Sequence, residues 1–235
     1  MATGPSTEIT KPEFLLHTYY ESSCSGRLRI ALNLKCIQAK YIYVQLFHGD
    51  QLSEQYKELN PSGTVPVLMH LREDGSPVGF PIAQSAAALE YLEEVFPDRR
   101  PLMPPGSQPL ERAKVRTLIN IITNDVQPFS NRRVVSWVTD LGSNRVEWNK
   151  HFMTRGLAAY DKIAAGTSGK FSVGDEVTLA DVCLLPAIYA AEKNEVELEK
   201  MPTIMRIYQT LSKLEAVQNA HWSRQKDCPE DMAWL

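Results

Sequence analysis

The chain has 235 residues, of which 43% are hydrophobic and 23% are charged, and its formal net charge is −3. This composition suffices for one large or two small globular domains with hydrophobic cores. No run of Lys and Arg is long enough to follow a phosphate backbone, and no stretch approaches the roughly 18 apolar residues of a membrane span, which argues against nucleic acid and membranes as partners.

Strand and helix patterns alternate in the first part of the chain. Two segments rich in β-branched and aromatic residues, Phe14 to Tyr20 and Tyr41 to Leu46, predict strands. Between them, apolar residues recur at helical spacing from Leu28 to Ile37. The pattern therefore predicts a β-α-β unit, which places the two strands parallel to each other.

The following residues predict the rest of an α/β domain. A short, weak helix is predicted over 51–59, and two short strands over 67–71 and 78–80 are joined by the turn-rich segment 72–77. Helical spacing returns from Ala88 to Val95. The complete order is βαβαββα, with the parallel strands first and an antiparallel hairpin last.

A proline-rich segment separates this domain from an all-helical one. Residues 97–109 contain five prolines and cannot continue a helix, and after them only helical stripes recur. Pro128 falls within the first long helical region and is predicted to kink or break it. The predicted organisation is an α/β domain over 12–97, a linker over 98–109, an all-helical domain over 110–226 and a tail over 227–235.

The N-terminus and the cysteines indicate the compartment. Residues 1–12 are polar and lack the apolar stretch of a signal peptide. The cysteines follow neither a disulfide framework nor the spacing of a zinc site. These features predict a cytoplasmic protein with reduced thiols and no bound metal. The four cysteines are Cys24, Cys36, Cys183 and Cys228.

A run of small polar side chains, Ser22-Ser23-Cys24-Ser25, stands where the first strand ends and the first helix begins. Such side chains contribute little to a core. The first turn of a helix, however, offers an anion its free N–H groups and the positive end of the helix dipole. The junction is therefore a candidate site for an anion, and a thiolate there would give the chain a reaction to catalyse.

Two further motifs resemble ligand contacts. A cis Val65–Pro66 bond would leave the peptide groups of Val65 at an exposed strand edge, where an extended peptide can pair. An ordinary trans proline that opens an edge strand is the alternative. Gln84 and Ser85 begin a helix, which suits either a carboxylate or α-amino-acid ligand or a plain helix cap.

Together and in this order, the motifs resemble the glutathione transferase family, which joins a thioredoxin-like domain to an all-helical domain. The segment 22–32, S-S-C-S-x-R-L-R-I-A-L, is similar to the zeta class. Thr178 and Asp181 match a capping box that is general to the family. The resemblance covers essentially the whole chain and implies the glutathione transferase fold, with glutathione as the cofactor.

The resemblance also implies site residues. Ser22, Ser23 and Cys24 are the candidates for activating the glutathione thiol, with Ser22 first, and spacing does not separate them. The implied contacts to the tripeptide are Val65 and Pro66 for the cysteinyl part, Gln84 and Ser85 for the γ-glutamyl end, Gln51 for the glycyl end, and Gln127 and Asn131 from the second domain.

The zeta class implies isomerisation of maleylacetoacetate to fumarylacetoacetate, in the catabolism of tyrosine and phenylalanine. A thiolate adds to the double bond, the resulting single bond rotates and the thiolate is eliminated. Transferase activity on small halogenated acids and a homodimer are also implied. A small dicarboxylate substrate needs cations. Arg27 is the first candidate, and the weaker candidates, each equally explained as a solvated surface charge, are Arg132, Arg133 and Lys193.

Two other functions stay open at this point. The first is a glutathione thioltransferase that depends on Cys24, although Cys24 lacks the second cysteine of a C-x-x-C pair. The second is a transferase-like fold that serves only as an interaction module. The second substrate is open among maleylacetoacetate, maleylpyruvate and a halogenated acid. Gly26 departs from the zeta pattern, which usually has an aromatic residue there, and is expected to alter the mouth of the second-substrate pocket.

Overall fold

The structure, a computed structural model, describes residues 11–232. The prediction that no signal peptide is present concerns mainly residues 1–10, which lie outside that range. Residues 233–235 of the predicted tail also lie outside it. Within it, a small sheet with three helices is followed by a helical bundle. The predicted succession of an α/β part and a helical part is confirmed.

One four-stranded sheet forms the centre of the first part. Its strands are β1 (Phe14–Thr18), β2 (Ala39–Tyr43), β3 (Val67–His70) and β4 (Ile82–Ala83), in the order β2-β1-β3-β4. β1 runs parallel to β2, with Leu16 opposite Tyr41, and antiparallel to β3, with Leu16 opposite Leu68. The prediction of parallel strands first and an antiparallel pair last is therefore confirmed.

The strand predicted over 78–80 is wrong, because β4 lies at Ile82–Ala83 instead. Val78 still donates its N–H to the carbonyl of His70 at 2.8 Å. Gly79 then adopts φ +68°, and Pro81 has no N–H to contribute to a ladder. Phe80 projects outward and is 75% exposed. The backbone therefore leaves the sheet after a single antiparallel bridge, between Leu71 and Pro77, and returns only at β4.

Three helices complete the first part: α1 (Ser23–Leu34), α2 (Glu54–Leu59) and α3 (Ser85–Val95). The weak helix predicted over 51–59 is divided into a 3₁₀ turn at Asp50–Leu52 and α2. Ser53 lies between the two, and its hydroxyl oxygen accepts the N–H of Tyr56 at 3.2 Å. An N-cap therefore begins α2 afresh.

The second part is helical. Its helices are α4 (Pro109–Asn120), α5 (Arg132–Asp140), α6 (Arg145–Ala165), α7 (Leu179–Lys193), α8 (Pro202–Leu211) and α9 (Glu215–Ala220). α4 continues into a π-helical turn, Ile121–Val126, and the chain then turns through Pro128 before α5 begins. The break predicted at Pro128 is confirmed. Helix α7, almost entirely buried, packs against α1 and so joins the two parts.

The start of α7 confirms the predicted capping box. The carboxylate of Asp181 is fully buried and accepts the N–H and hydroxyl of Thr178 at 2.8 and 3.0 Å. It also accepts the N–H of Ser172 at 2.8 Å. Burial raises the pKa of Asp181, and these hydrogen bonds oppose that rise. The carboxylate thus ties the loop before α7 to the helix.

His221 makes stability depend on pH. Its Nδ1 accepts the N–H of Ser223 at 3.3 Å, and burial, with Arg224 and Lys193 nearby, lowers the pKa of His221 from 6.5 to about 4. The unfolded chain binds a proton in this window that the folded chain does not, so stability falls as pH drops from 6.5 towards 4. Between pH 7 and pH 5, the urea concentration at the midpoint of unfolding should fall less in His221→Asn than in the unmodified chain. Equal losses would contradict this role of His221.

Candidate active site

The N-terminus of α1 is arranged to hold an anion. Ser22 is its N-cap: the hydroxyl oxygen accepts the N–H of Ser25 at 3.2 Å, and the carbonyl accepts the N–H of Gly26 at 2.8 Å. The helical ladder begins with that second bond, so the N–H groups of Ser23 and Cys24 have no partner within the helix. Since the Ser22 oxygen accepts from the helix, its own proton remains available for a ligand.

Cys183 on α7 lies behind this turn, within electrostatic range of Cys24 and Arg27. Full burial raises the pKa of Cys183 to about 11, so it stays protonated at neutral pH. Cys24 itself is partly exposed. Any reaction of a protein thiol at this junction would therefore involve Cys24.

The Val65–Pro66 peptide bond is cis, which decides between the two alternatives for this motif. The ladder between β1 and β3 begins at Val67, so the peptide groups of Val65 lie beyond it. Thr64, just before the bond, is held by its carbonyl, which accepts from the Tyr56 hydroxyl at 2.9 Å and the Asn60 amide at 2.7 Å. The peptide groups of Val65 are thus held just before the start of β3, which is an inner strand of the sheet, and Val65 is buried, so the predicted exposed strand edge is wrong.

Gln84 and Ser85 begin α3 with an unusual backbone. Gln84 is the N-cap residue of α3, where its carbonyl accepts the N–H of Ala88 at 3.1 Å, but it has φ +75° and its side chain makes no cap hydrogen bond in the described structure. Non-glycine residues in this region of φ are strained and concentrate at ligand sites. The buried hydroxyl of Ser85 accepts from Nη1 of Arg27 at 2.9 Å. The start of α3 is thereby linked to the first turns of α1.

Arg27 lies between these two helix starts and is only 2% exposed. Its Nε is buried and has no hydrogen-bond partner among residues 11–232. Gln51, whose amide donates to the carbonyl of Leu46 at 3.5 Å, likewise has a buried Oε1 with no partner there. Because these two atoms lie below the surface, the fit to glutathione rests on the start of α1, where the Ser22 hydroxyl and the free N–H groups of the first turn suit an anionic sulfur.

The second part of the chain reaches the site through α5 and α7. Asn131 caps α5 by accepting the N–H of Arg133 at 3.1 Å, and the guanidinium of Arg132 lies 3.7 Å from the centre of the Phe47 ring. Phe47 follows β2, four positions before Gln51, so this contact brings α5 to the rim of the site. No hydrogen bond in the described structure joins Asn131 or Gln127 to the first part.

Lys193, a weaker candidate from the sequence, lies beside the junction before α1. Its ammonium group is 2.7 Å from the carboxylate of Glu21 and 3.8 Å from the centre of the Trp222 ring. Arg133, the remaining weaker candidate, is exposed, as are Lys193 and Arg132, but no hydrogen bond or ion pair among residues 11–232 joins its side chain to the first part. Lys193 and Arg132 do contact the first part, through Glu21 and Phe47, and flank the junction from the helical part.

Gly26 is buried against α7 and not at the mouth of a pocket. A Cβ atom at this position would be 3.1 Å from Cγ of Pro186 and 3.6 Å from Nη2 of Arg29. The missing side chain thus lets α1 approach α7 closely. The expectation that Gly26 alters the mouth of the second-substrate pocket is wrong.

This close approach gives a test. We expect Gly26→Trp to lower the free energy of unfolding by about 1–3 kcal/mol through overpacking against Pro186. Pro186→Ala removes the crowding atom. The double variant should therefore lose less free energy of unfolding than the two single variants lose in sum. Thermal unfolding of the four proteins measures the coupling, and strictly additive effects would contradict the assigned contact.

Among residues 11–232, no three His, Cys, Asp or Glu side chains are placed to hold a metal ion. Within the same range, no helix combines the length and the apolar character needed to cross a bilayer.

Comparison with known proteins identifies the family. Residues 21–95 match the glutathione S-transferase N-terminal domain, and residues 137–222 match its C-terminal domain. The chain is 50% identical to maleylacetoacetate isomerase maiA of Aspergillus fumigatus over 225 residues, which are 95% of this chain and 96% of the relative. It is 36% identical to a zeta-class glutathione S-transferase of Euphorbia esula, over 92% of this chain and 93% of the relative.

Solved structures agree. Maleylacetoacetate isomerase of Anaeromyxobacter dehalogenans with bound glutathione superimposes with a TM-score of 0.83 at 35% identity, covering 92% of this chain and 98% of that one. A second structure of that enzyme, with dicarboxyethyl glutathione and citrate in its active site, has a TM-score of 0.81 at 35% identity over 92% and 97% of the two chains. This chain belongs to the glutathione S-transferase family, and within it to the zeta class.

Proposed function

We propose that the chain is a glutathione-dependent isomerase that converts maleylacetoacetate to fumarylacetoacetate, in the catabolism of tyrosine and phenylalanine. The observation that carries the proposal is the start of α1, where the Ser22 hydroxyl and the N–H groups of Ser23 and Cys24 face outward from a helix N-terminus. These groups stabilise an anion at this position. A thiol acts as a nucleophile only as its anion, the thiolate, so the same groups would activate a thiol bound here.

Glutathione, when bound, supplies the thiolate that adds to the activated double bond, permits rotation and is eliminated again. The protein holds the tripeptide and stabilises its sulfur. The Ser22 hydroxyl donates a hydrogen bond to the thiolate sulfur and so stabilises its negative charge, with Ser23 and Cys24 as the other candidates. The proposed contacts to the peptide are Val65 through its backbone, with Pro66, Gln84, Ser85, Gln51, Gln127 and Asn131.

The dicarboxylate substrate requires positive charge. Arg27 is the proposed substrate residue. Because it is buried against Ser85, its positive charge would attract the substrate carboxylates electrostatically, without direct contact. Lys193 and Arg132 flank the junction from the helical part and are better placed to meet a carboxylate directly. The dicarboxyethyl glutathione in the Anaeromyxobacter enzyme supports a dicarboxylate-binding pocket in this class. The same thiolate would displace halide from small halogenated acids.

We also propose that the protein acts in the cytoplasm as a homodimer. The four cysteines are all free thiols, which suits a reducing compartment. A groove between α3 and α4 is lined by the small and apolar side chains of Ala86, Ala87 and Ile119 and by the ion pair of Glu90 and Arg116, and we propose that it receives a second copy. Sedimentation velocity should show twice the chain mass. The proposed domain limits remain 12–97, 98–109, 110–226 and 227–235.

Product analysis tests the proposed activity. When the protein is incubated with maleylacetoacetate and a small amount of glutathione, we expect complete conversion to fumarylacetoacetate with the glutathione recovered unchanged. Because the thiol is regenerated in each cycle, the amount of product should exceed the amount of glutathione many times. A stoichiometric glutathione conjugate, or no conversion, would contradict the isomerase.

A further inference from the structure

The loop that leads from β1 into α1 is held from below by a buried guanidinium. Arg29 is 2% exposed and lies two turns into α1. Its donors reach four oxygens: the carbonyl of Tyr19 at 3.1 Å, the carbonyl of Tyr20 at 2.9 Å, the hydroxyl of Thr18 at 3.1 Å and the carbonyl of Ala220 at 3.2 Å. Three of these acceptors belong to consecutive residues immediately before the anion site.

The C-terminal segment holds the same loop from another side. The carboxylate of Asp227 accepts the N–H of Tyr20 at 2.8 Å, across 207 positions of sequence. Next to it, Cys228 is buried in a cluster with Tyr19 and Tyr20. Arg29 thus binds the carbonyl oxygens of the loop, and Asp227 binds one of its N–H groups.

One carbonyl connects this clamp to the anion site. The oxygen of Tyr19, which accepts from Arg29, also accepts the N–H of Ser22 at 3.1 Å. The position of Ser22, and hence of its hydroxyl, is therefore set by the peptide unit between Tyr19 and Tyr20, whose carbonyl accepts from Arg29 and whose N–H donates to Asp227. A small rotation of this peptide unit would move the Ser22 hydroxyl away from the proposed sulfur position.

A guanidinium at this place carries a cost as well as a benefit. Burial lowers the pKa of Arg29 to about 10, which reflects the cost of removing the charge from water. An apolar side chain of similar volume would avoid that cost but would leave the four oxygens without their donor. What the guanidinium adds is direction, because its planar fork orients several carbonyls at once.

We propose that Arg29 and Asp227 are positioning residues that fix the loop 19–21 and so hold the Ser22 hydroxyl toward the glutathione sulfur. The proposal rests on the proposed function. It gives the C-terminal segment, which the sequence analysis treats as a tail, a part in thiol activation without contact to substrate or cofactor.

The test compares Asp227→Ala, Asp227→Asn and Asp231→Ala. The first removes the acceptor for the N–H of Tyr20, the second keeps an amide oxygen there, and the third alters an exposed carboxylate in the same segment. The readouts are kcat, KM for glutathione and the pH titration of thiolate absorbance in the glutathione complex. Arg29→Lys, which keeps the charge but loses the fork, is measured in the same way.

Asp227→Ala is expected to lower kcat about tenfold and to move the thiol titration about one unit upward, with KM for glutathione nearly unchanged. Asp227→Asn should restore most of both values, Asp231→Ala should match the unmodified protein, and Arg29→Lys should resemble Asp227→Ala. An unchanged thiol titration in Asp227→Ala would overturn the proposal, even if the thermal stability of the variant were lowered. The proposal would also be overturned if Asp227→Asn failed to restore kcat and the thiol titration. Absence of any thiolate signal in the unmodified protein would instead contradict the proposed function, and the inference with it.

Discussion

Ser22→Ala is expected to lower kcat of the glutathione-dependent isomerisation by about 10²–10³-fold, the usual effect of removing one hydrogen-bond donor from an anionic centre. The variant deletes the hydroxyl whose oxygen caps α1 and whose proton is proposed to hydrogen-bond to the glutathione sulfur. Steady-state kinetics with maleylacetone as substrate would measure the loss. KM for glutathione should change much less, since the peptide contacts lie on other elements.

The lost helix cap needs its own control. Replacing an N-cap serine by alanine costs about 0.5–2 kcal/mol of stability, while glycine costs only a few tenths. Ser22→Gly should therefore be nearly as inactive as Ser22→Ala but more stable. Asn144, which caps α6 far along the chain and accepts the N–H of Val146 at 2.9 Å, provides the matched control. Asn144→Ala should lose stability and keep its activity.

Substitution of the neighbouring residues distinguishes the remaining alternatives. Ser23→Ala and Cys24→Ala are expected to have smaller effects than Ser22→Ala. An inactive Cys24→Ser beside a fully active Ser22→Ala would favour the Cys24-dependent thioltransferase. In that case the mixed disulfide between Cys24 and glutathione should be detectable by mass spectrometry.

Asp181→Ala is expected to lower the free energy of unfolding by roughly 3–5 kcal/mol, because it leaves buried donors without acceptors and removes a cap of α7. The carboxylate accepts from Ser172 and twice from Thr178 in a fully buried place. Burial of the charge opposes this stabilisation, as the raised pKa of Asp181 indicates. Three hydrogen bonds of about 1–3 kcal/mol each outweigh the opposing effect. Urea denaturation measures the change.

Asp175→Ala is the matched control for this prediction. Asp175 lies in the same loop and accepts one N–H, from Lys170 at 2.8 Å, in an exposed place. Its removal should cost less than about 1 kcal/mol. Similar losses in the two variants would show that the buried carboxylate has no special role in holding α7.

The features that sequence predicts best here depend on neighbours along the chain. The capping box at Thr178 and Asp181, the start of the first helix within 22–25 and the break at Pro128 each involve residues within a few positions, and the structure confirms them. The strand predicted over 78–80 fails for a related reason. Its apolar residues fit a strand, but Gly79 at positive φ and Pro81 turn the backbone out of the ladder.

Features that depend on distant partners were not predictable from pattern. Gly26 lies opposite Pro186 because α1 and α7 pack together, and no local signal reveals that contact. Arg27 has the spacing of a site residue, yet its burial beneath Ser85 follows only from the packing of α1 against α3. Asp227 reaches Tyr20 across 207 positions of sequence, a distance at which spacing carries no information.

The rate of cis–trans isomerisation of maleylacetone tests the proposed function most directly. It should be followed in absorbance with glutathione, without a thiol and with S-methylglutathione, whose sulfur cannot form a thiolate. We expect rapid isomerisation with glutathione and only the uncatalysed rate in the other two reactions. Equal rates in all three, or no rate above background with glutathione, would contradict the proposal that this chain uses a bound thiolate to isomerise a double bond.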